Sequence, residues 1–515
     1  MVEKINKGSS VIRVLARIVA QYPRDEKILI TPGFQIGSQI LEELTRSGTP
    51  WMNFRSMTMY ALARQSAELV SGEVLTEVGM KTILDTVLTQ LDQTKKLKYF
   101  QKRSINKGMI DHLADTIREL KTLGIQPDYL SPKHFVDVRK AADLKHIYTA
   151  YQIILNNKNL LDSADIWIMA LKNSLKQKKR PKVKYIILAG CYANVTQKDF
   201  IKALAGADLI VIEEEPVEGL IPPKSIWAHT KDHDYPAPET DIERLRWVFD
   251  CEQAPKPFGD DSIELFRAAG SRNEISEVMR RIAAENLPAD QVEIIYTDAH
   301  NYVSAIHAFS ERVGIPVTFA DGLPSYFSTP GRVLAGILMW IQEDFSEIYL
   351  RRLLKSGDLF LDTYGDSVDR ADLAYLLRTS GVGWGRDRYD RILKQRAEAA
   401  RKKSDLAKKE NEPVKADLST QEAEAVETLH RICMDLFSFI PDQDDKGQID
   451  FAKLCVGCVD IILKFVRIRD ERDNVFAKAA TDIFNMLSRI AKEKMPVTEA
   501  IDKLLRVITR NRYGD

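Results

Sequence analysis

Apolar positions along the chain follow two periods, and the period switches several times. "VIRVLARIVAQY" (11–22) has helical spacing, "KILIT" (27–31) is a short apolar run closed by Pro32 and Gly33, and "IGSQILEELTRSG" (36–48) is helical again. Helix, strand, turn and helix in that order predict an α/β unit. From about residue 77 to 180 the pattern is helical throughout. "MKTILDTVLTQLDQ", "MIDHLADTIRELKTLG" and "LKHIYTAYQIILNN" each place apolar residues at i, i+3, i+4 and i+7. Two runs, "YIIL" (185–188) and "ADLIVI" (207–212), then resume the strand pattern.

A Pro-rich polar stretch over 216–260 predicts a connection between lobes. After it come three strand-like segments, "SIELFRAA" (262–269), "VEIIYTD" (292–298) and "IPVTFA" (315–320), separated by helical ones. Beyond Pro330 the chain reads as helical almost to its end, apart from a charged stretch over 386–415 that predicts an exposed helix or a mobile linker. The expected organisation is therefore a first α/β lobe (1–76 and 181–215) interrupted by a helical insertion (77–180). The connection leads to the start of a second lobe (261–330) and a helical subdomain (331–515). Three strands leave apolar edges open, because a parallel sheet needs neighbours along its edges and cover on both faces. The second lobe is thus expected to be incomplete, with its remainder in a longer protein or in a separate gene.

Composition narrows the function classes only a little. The chain of 515 residues is 44% hydrophobic and 29% charged, which suits two to four globular domains. Lys plus Arg equals Asp plus Glu at 74 each, so a surface for nucleic acid has to show as local patches. No apolar run is long enough for a membrane span, and the N-terminus lacks an apolar signal core. Five cysteines without framework spacing suit a reducing compartment, and the expected location is cytoplasmic.

Two local patches are basic. "KNSLKQKKRPKVK" (172–184) has seven basic residues and no acid; Lys176, Lys178, Lys179, Arg180 and Lys182 are its leading candidates for phosphate contact. "TKKLKYFQKRSINKG" (94–108) interleaves Lys95, Lys96, Lys98, Lys102, Arg103 and Lys107 with Tyr99 and Phe100, a pairing of cations for phosphates with rings for bases. A solvated face is the competing account of each. Other groupings read as structural. Cys455 and Cys458 lie in an apolar run with no second pair to complete a metal site. His229 and His233 sit in the Pro-rich connection. Glu119-Leu-Lys121 and Asp143-Leu-Lys145 match a nuclease's acid-x-Lys pattern but lie on helical segments. "SGVGWGRD" (380–387) follows no strand and is expected to be a turn.

A nucleotide-driven motor needs a Gly-rich loop ending in Gly-Lys-Ser/Thr, and acids at the tip of a strand to hold magnesium. The dipeptide Gly-Lys occurs nowhere; the tip after "YIIL" is Ala189, Gly190 and Cys191. With this background, several stretches in order resemble the superfamily I helicases of the UvrD/RecB type, and among them the AddB/RexB subunit of bacterial helicase–nucleases, whose motor is inactivated. They are "KILITPGFQIGSQILEEL", "KGMIDHLADTIRELKTLGIQPDYL", "LLDSADIWIMAL", "YIILAGCYANVTQKDFIKALAGAD" and "VGIPVTFADGLPSYFSTPGRVL". The resemblance implies degenerate P-loop-NTPase-like (RecA-like) lobes with large helical insertions. It also implies a non-catalytic role in processing DNA double-strand breaks, with an AddA/RexA-like catalytic partner subunit. It places Thr31 in a strand–turn–helix that touches single-stranded DNA. It implies a C-terminal PD-(D/E)XK nuclease beyond these residues, to which any magnesium and iron–sulfur cluster would belong, and no cofactor in this chain. An independent α/β nucleotide-binding enzyme and a protein-only scaffold stay open as alternatives.

Overall fold

The structure is a computed structural model that describes residues 10–68, 73–100, 107–177, 182–188, 191, 193–212, 238–320, 322–365, 369–490, 494–510 and 512–513. The chain divides into two compact units. One comprises the residues up to Leu75 together with Leu91–Glu277; the other comprises Thr76–Gln90 and the chain from Val278 onward.

The first unit begins with α1 (Ser10–Gln21), β1 (Glu26–Thr31), α2 (Phe34–Arg46), β2 (Phe54–Thr58), α3 (Met59–Ser66) and the two-residue β3 (Glu73–Val74). Next come α4 (Glu77–Gln93), whose first turns go with the second unit, α5 (Lys107–Thr122), α6 (Val138–Lys158) and β4 (Leu160–Leu161). The series closes with α7 (Ser163–Lys176), β5 (Val183–Leu188), α8 (Val195–Ala205) and β6 (Leu209–Ile212). Four strands form a parallel sheet in the order β2-β1-β5-β6. Ile28, Leu29 and Ile30 are consecutive and all buried, as are Tyr185 to Leu188, because helices cover both faces. This α/β architecture, with a helical excursion between β2 and β5, is compatible with a degenerate RecA-like fold.

Local sequence accounts for the helix ends. α7 starts on a capping box in which Asp162 accepts from the Asp165 N–H and Asp165 accepts from the Asp162 N–H; Asn194 and Gln197 do the same for α8. Asn159 ends α6 in the left-handed conformation at φ 51°. Strand β2 gave little signal in the sequence, since only Phe54 of its five residues is buried.

Helices α9 (Ser271–Ala284) and α10 (Ala299–Val313), the short β7 (Leu323–Pro324), α11 (Thr329–Gln342), α12 (Glu347–Ser356) and α13 (Arg370–Thr379) follow. After them come α14 (Arg386–Lys409), α15 (Pro413–Ser438), β8 (Gln448–Asp450), α16 (Phe451–Phe465), α17 (Glu471–Ile490), β9 (Lys494–Pro496), α18 (Val497–Arg510) and β10 (Arg512–Tyr513). The core of the second unit centres on Trp340, which packs on Phe345, Tyr389 and Phe437 and donates its indole N–H to Tyr389 Oη at 3.0 Å. Lys503 of α18 pairs with Asp85 of α4 at 2.8 Å, which ties the first turns of α4 into this unit. Thr76–Gln90 thus goes with the second unit, while the rest of the helical segment goes with the first.

The three strand-like segments after the connection form no β-ladder among the described residues. Residues 292–296 and 315–319 keep the alternating burial of a strand, yet Leu265 is 97% exposed and Ile295 87%. Side-chain alternation sets only the faces of a strand. The strand itself exists once its N–H and C=O groups find a neighbour. Near the end of the chain the two-residue β10 pairs antiparallel with β7. The charged stretch after Arg386 is mostly one helix, α14.

Candidate nucleic-acid interface

In a parallel sheet, ligands bind at the carboxyl ends of the strands where the strand order reverses. Here the reversal falls between β1 and β5, flanked by Thr31 and Cys191. Both are buried, at 1% and 4% exposure. Thr31 Oγ1 donates to the Gly33 carbonyl at 2.8 Å, and the Cys191 thiol lies 3.4 Å from the Ile30 carbonyl. Helix α2 closes onto the same spot through Gly37. A Cβ added there would come within 2.9 Å of Thr31 Oγ1 and collide with Ser56. Thr31 is thus turned into the fold, its hydroxyl bonded to the chain's own backbone. The exposed groups nearby are apolar: Phe34 (68%) and Ile36 (42%), on the first turn of α2. Ala189 and Gly190 lie outside the described residues.

Lys176 ends α7 and Lys182 precedes β5, so both belong to the opposite, amino-terminal end of the sheet. Five strand steps separate that end from Thr31, about 17 Å. Lys172, Lys176 and Lys182 are exposed, whereas Lys184 is engaged by Asp208 and lies over the Tyr22 ring. Lys178, Lys179 and Arg180 fall outside the described residues, as do Lys102 and Arg103 of the second basic patch.

The described part of that second patch is a built turn. The buried Asp143 carboxylate, on α6, accepts the backbone N–H groups of Lys98 (2.9 Å), Tyr99 (2.6 Å) and Phe100 (2.9 Å). Leu97 and Phe100 point inward, while Lys95, Lys96, Lys98 and Tyr99 are exposed. Lys140, on the first turn of α6, reaches over the Tyr99 ring at 6.0 Å. A ring among four lysines is held in place by one carboxylate. Asp143, read in the sequence as a chance half of an acid-x-Lys pattern, is the residue that holds it. The signal for this pairing was its distance along the chain, which no local pattern carries.

The other acid-x-Lys lysine is also structural. Lys121 Nζ contacts Asp162 at 2.9 Å and Asp165 at 2.7 Å, and Tyr151 Oη donates to Asp162 at 3.0 Å. Burial and the adjacent Asp162 raise the Asp165 carboxyl above its ordinary value, against the pull of Lys121. Burial and the same carboxylate also push the Tyr151 phenol up. This cluster joins α5, α6 and α7, with Lys121 and Asp162 buried and Asp165 partly exposed. Cys455 and Cys458 are buried on α16; desolvation raises both thiols, Cys458 to about 12. Neither is a reactive thiolate. Among the described residues no group of His, Cys, Asp or Glu could hold a metal ion. His229 and His233 lie outside them.

A parallel α/β sheet interrupted by a helical insertion that displays a cationic, aromatic turn is compatible with a degenerate RecA-like fold. Residues 6–204 match the family model described as ADDB, N-terminal. None of the curated proteins matches it. No helix among the described residues is long and apolar enough to cross a membrane.

Proposed function

We propose that the chain is a non-catalytic, helicase-like subunit that holds DNA during processing of double-strand breaks for recombinational repair, while a catalytic AddA/RexA-like subunit supplies ATP-driven movement. The AddB N-terminal match over residues 6–204 carries this reading. The absence of Gly-Lys from the sequence and the packing of Cys191 and Gly37 into the switch point support a holding role. The turn bearing Tyr99, with Lys95, Lys96, Lys98 and Lys140, is the surface that suits a DNA strand, the ring stacking on a base and the ammonium groups following phosphates. Lys176 and Lys182 are further candidates for backbone contact.

Binding of a labelled oligonucleotide by the full chain, followed over a series of salt concentrations, tests the reading. Affinity should fall steeply with salt, since each neutralised phosphate releases counterions. Tyr99→Ala should weaken binding roughly 5- to 150-fold, the range of one base–aromatic stack. The chain should also co-purify with an intact helicase motor of the AddA type. Salt-insensitive or undetectable DNA binding would favour a scaffold that contacts protein alone.

A further inference from the structure

The second unit carries a surface of its own that the sequence pattern left as a solvated charged stretch. Helices α14 and α15 pack antiparallel along their length, and the 24 residues of α14 span about 36 Å. The inner stripe of α14 is Tyr389, Leu393, Ala397, Ala400, Ser404 and Ala407, all buried. The stripe two positions further on points directly away: Arg391, Gln395, Ala399, Lys402, Leu406 and Lys409, all exposed. It contains three cations and no carboxylate.

Charge is sorted between the two helices. Helix α14 has ten Lys and Arg against four Asp and Glu; α15 has two against five. Several cations on the flanks of α14 are taken up by ion pairs, Lys394 with Asp390, Arg396 with Glu422 and Arg401 with Glu427, while Lys403 and Lys408 extend the exposed basic surface beside the stripe. Among the described residues, Arg391, Lys402 and Lys409 make no such pair.

The amino end of the stripe is headed by Trp384, 60% exposed. Its loop is rigid for stated reasons. Gly381, Gly383 and Gly385 all adopt positive φ (80°, 68° and 84°), and Val382 is fully buried. Gly385 N–H donates to Asp344 O at 2.7 Å, and Glu347 N–H to Gly383 O at 2.8 Å. The Arg388 guanidinium lies 4.8 Å from the indole and donates to Gly381 O at 2.9 Å. A large ring held rigidly in solvent, followed by a file of unpaired cations, matches the chemistry of a single nucleic-acid strand: π-faces to stack and phosphates to neutralise.

We propose that Trp384 and the outer stripe of α14 form a track for single-stranded DNA, a base stacking on the indole and the backbone running past Arg391, Lys402 and Lys409. This inference rests on the DNA-holding function above but uses a different unit of the chain, so the two can fail separately.

The test uses the full chain and a labelled oligothymidylate, titrated at several salt concentrations. Changing Arg391, Lys402 and Lys409 together to Gln should lower affinity at least tenfold and reduce the log–log salt slope by about 2, at roughly 0.7 per phosphate contact for single strands. Trp384→Ala should weaken binding about 5- to 150-fold with the slope unchanged. DNA should quench tryptophan emission in the unaltered chain and not in Trp384→Phe. Changing the paired Lys394 and Arg401 to Gln should alter affinity less than the stripe variant does. If the unaltered chain binds DNA and neither the stripe variant nor Trp384→Ala changes affinity, slope or quenching, the track is refuted and the holding function stands. Loss of co-purification with a motor subunit at unchanged DNA affinity would make the stripe a protein interface and also refute it. A chain that binds no DNA would remove both readings.

Discussion

At the scale of the residue, two buried ionic groups do work that their sequence context disguises. Asp143 satisfies three backbone donors of the turn that shows Tyr99. Removing the carboxylate leaves the buried Phe100 N–H without a partner and frees the part-buried Lys98 and Tyr99 donors, a cost of about 1–3 kcal/mol. Asp143→Ala should therefore lower stability by that order and loosen the turn. Limited trypsinolysis should then cut faster after Lys95, Lys96 and Lys98, and unchanged cleavage would deny Asp143 this role. Lys121 neutralises two carboxylates with a side chain only 8% exposed. Lys121→Met leaves Asp162 and Asp165 uncompensated and should cost about 3–5 kcal/mol in urea denaturation. Adding Asp165→Asn to that variant should restore part of the loss, because one of the repelling charges is gone.

At the scale of the element, α10 and the segments beside it form a pH-sensitive contact. His307 is half-buried against the rings of Phe319 and Phe327, the latter at 4.5 Å. Desolvation holds its imidazole below the ordinary 6.5; Arg472 acts in the same direction and Glu311 opposes it. A base with a lowered folded pKa binds fewer protons folded than unfolded. Its contribution to stability is therefore fully present above 6.5 and is lost as pH falls toward the lowered value. The melting temperature should drop between about pH 7 and 5, and His307→Gln should flatten that drop. A variant with the same pH profile as the parent would assign the drop to other groups. The same scale shows how the α14–α15 hairpin is held. Its inner stripe shrinks from Tyr389 and Leu393 to alanines and Ser404, whose hydroxyl donates to Ala416 O at 3.0 Å, so small side chains let the two backbones approach.

At the scale of the whole molecule, the prediction is catalytic silence. The sequence lacks Gly-Lys, and the strand-tip position that could face a ligand is occupied by buried Cys191. Purified chain should hydrolyse ATP far below the ~1 per second of a slow working enzyme, with or without DNA. DNA-stimulated turnover at or above that rate would overturn this. Restoring acids at 189–191 should not create activity, because no phosphate-binding loop accompanies them.

Much of the first lobe was legible because its signals are local. Consecutive apolar residues mark β1 and β5 as strands covered on both faces, and helical spacing marks α4, α5 and α6. The missing Gly-Lys is likewise a property of the sequence alone. Strand β2 was not legible, since an edge strand buries too little to leave a pattern. What the tertiary structure decided depends on partners far along the chain. It turned Thr31 inward, joined Asp143 to a turn more than forty residues away, and made a buried cluster of Lys121, Asp162 and Asp165. It left 292–296 and 315–319 without a ladder among the described residues, and it set an exposed basic stripe on α14 beside cations that are partly taken up by ion pairs. Periodicity specifies which face of an element is apolar. Which neighbour meets that face, and which polar groups it shields or leaves to solvent, is set by packing between residues that the sequence keeps apart.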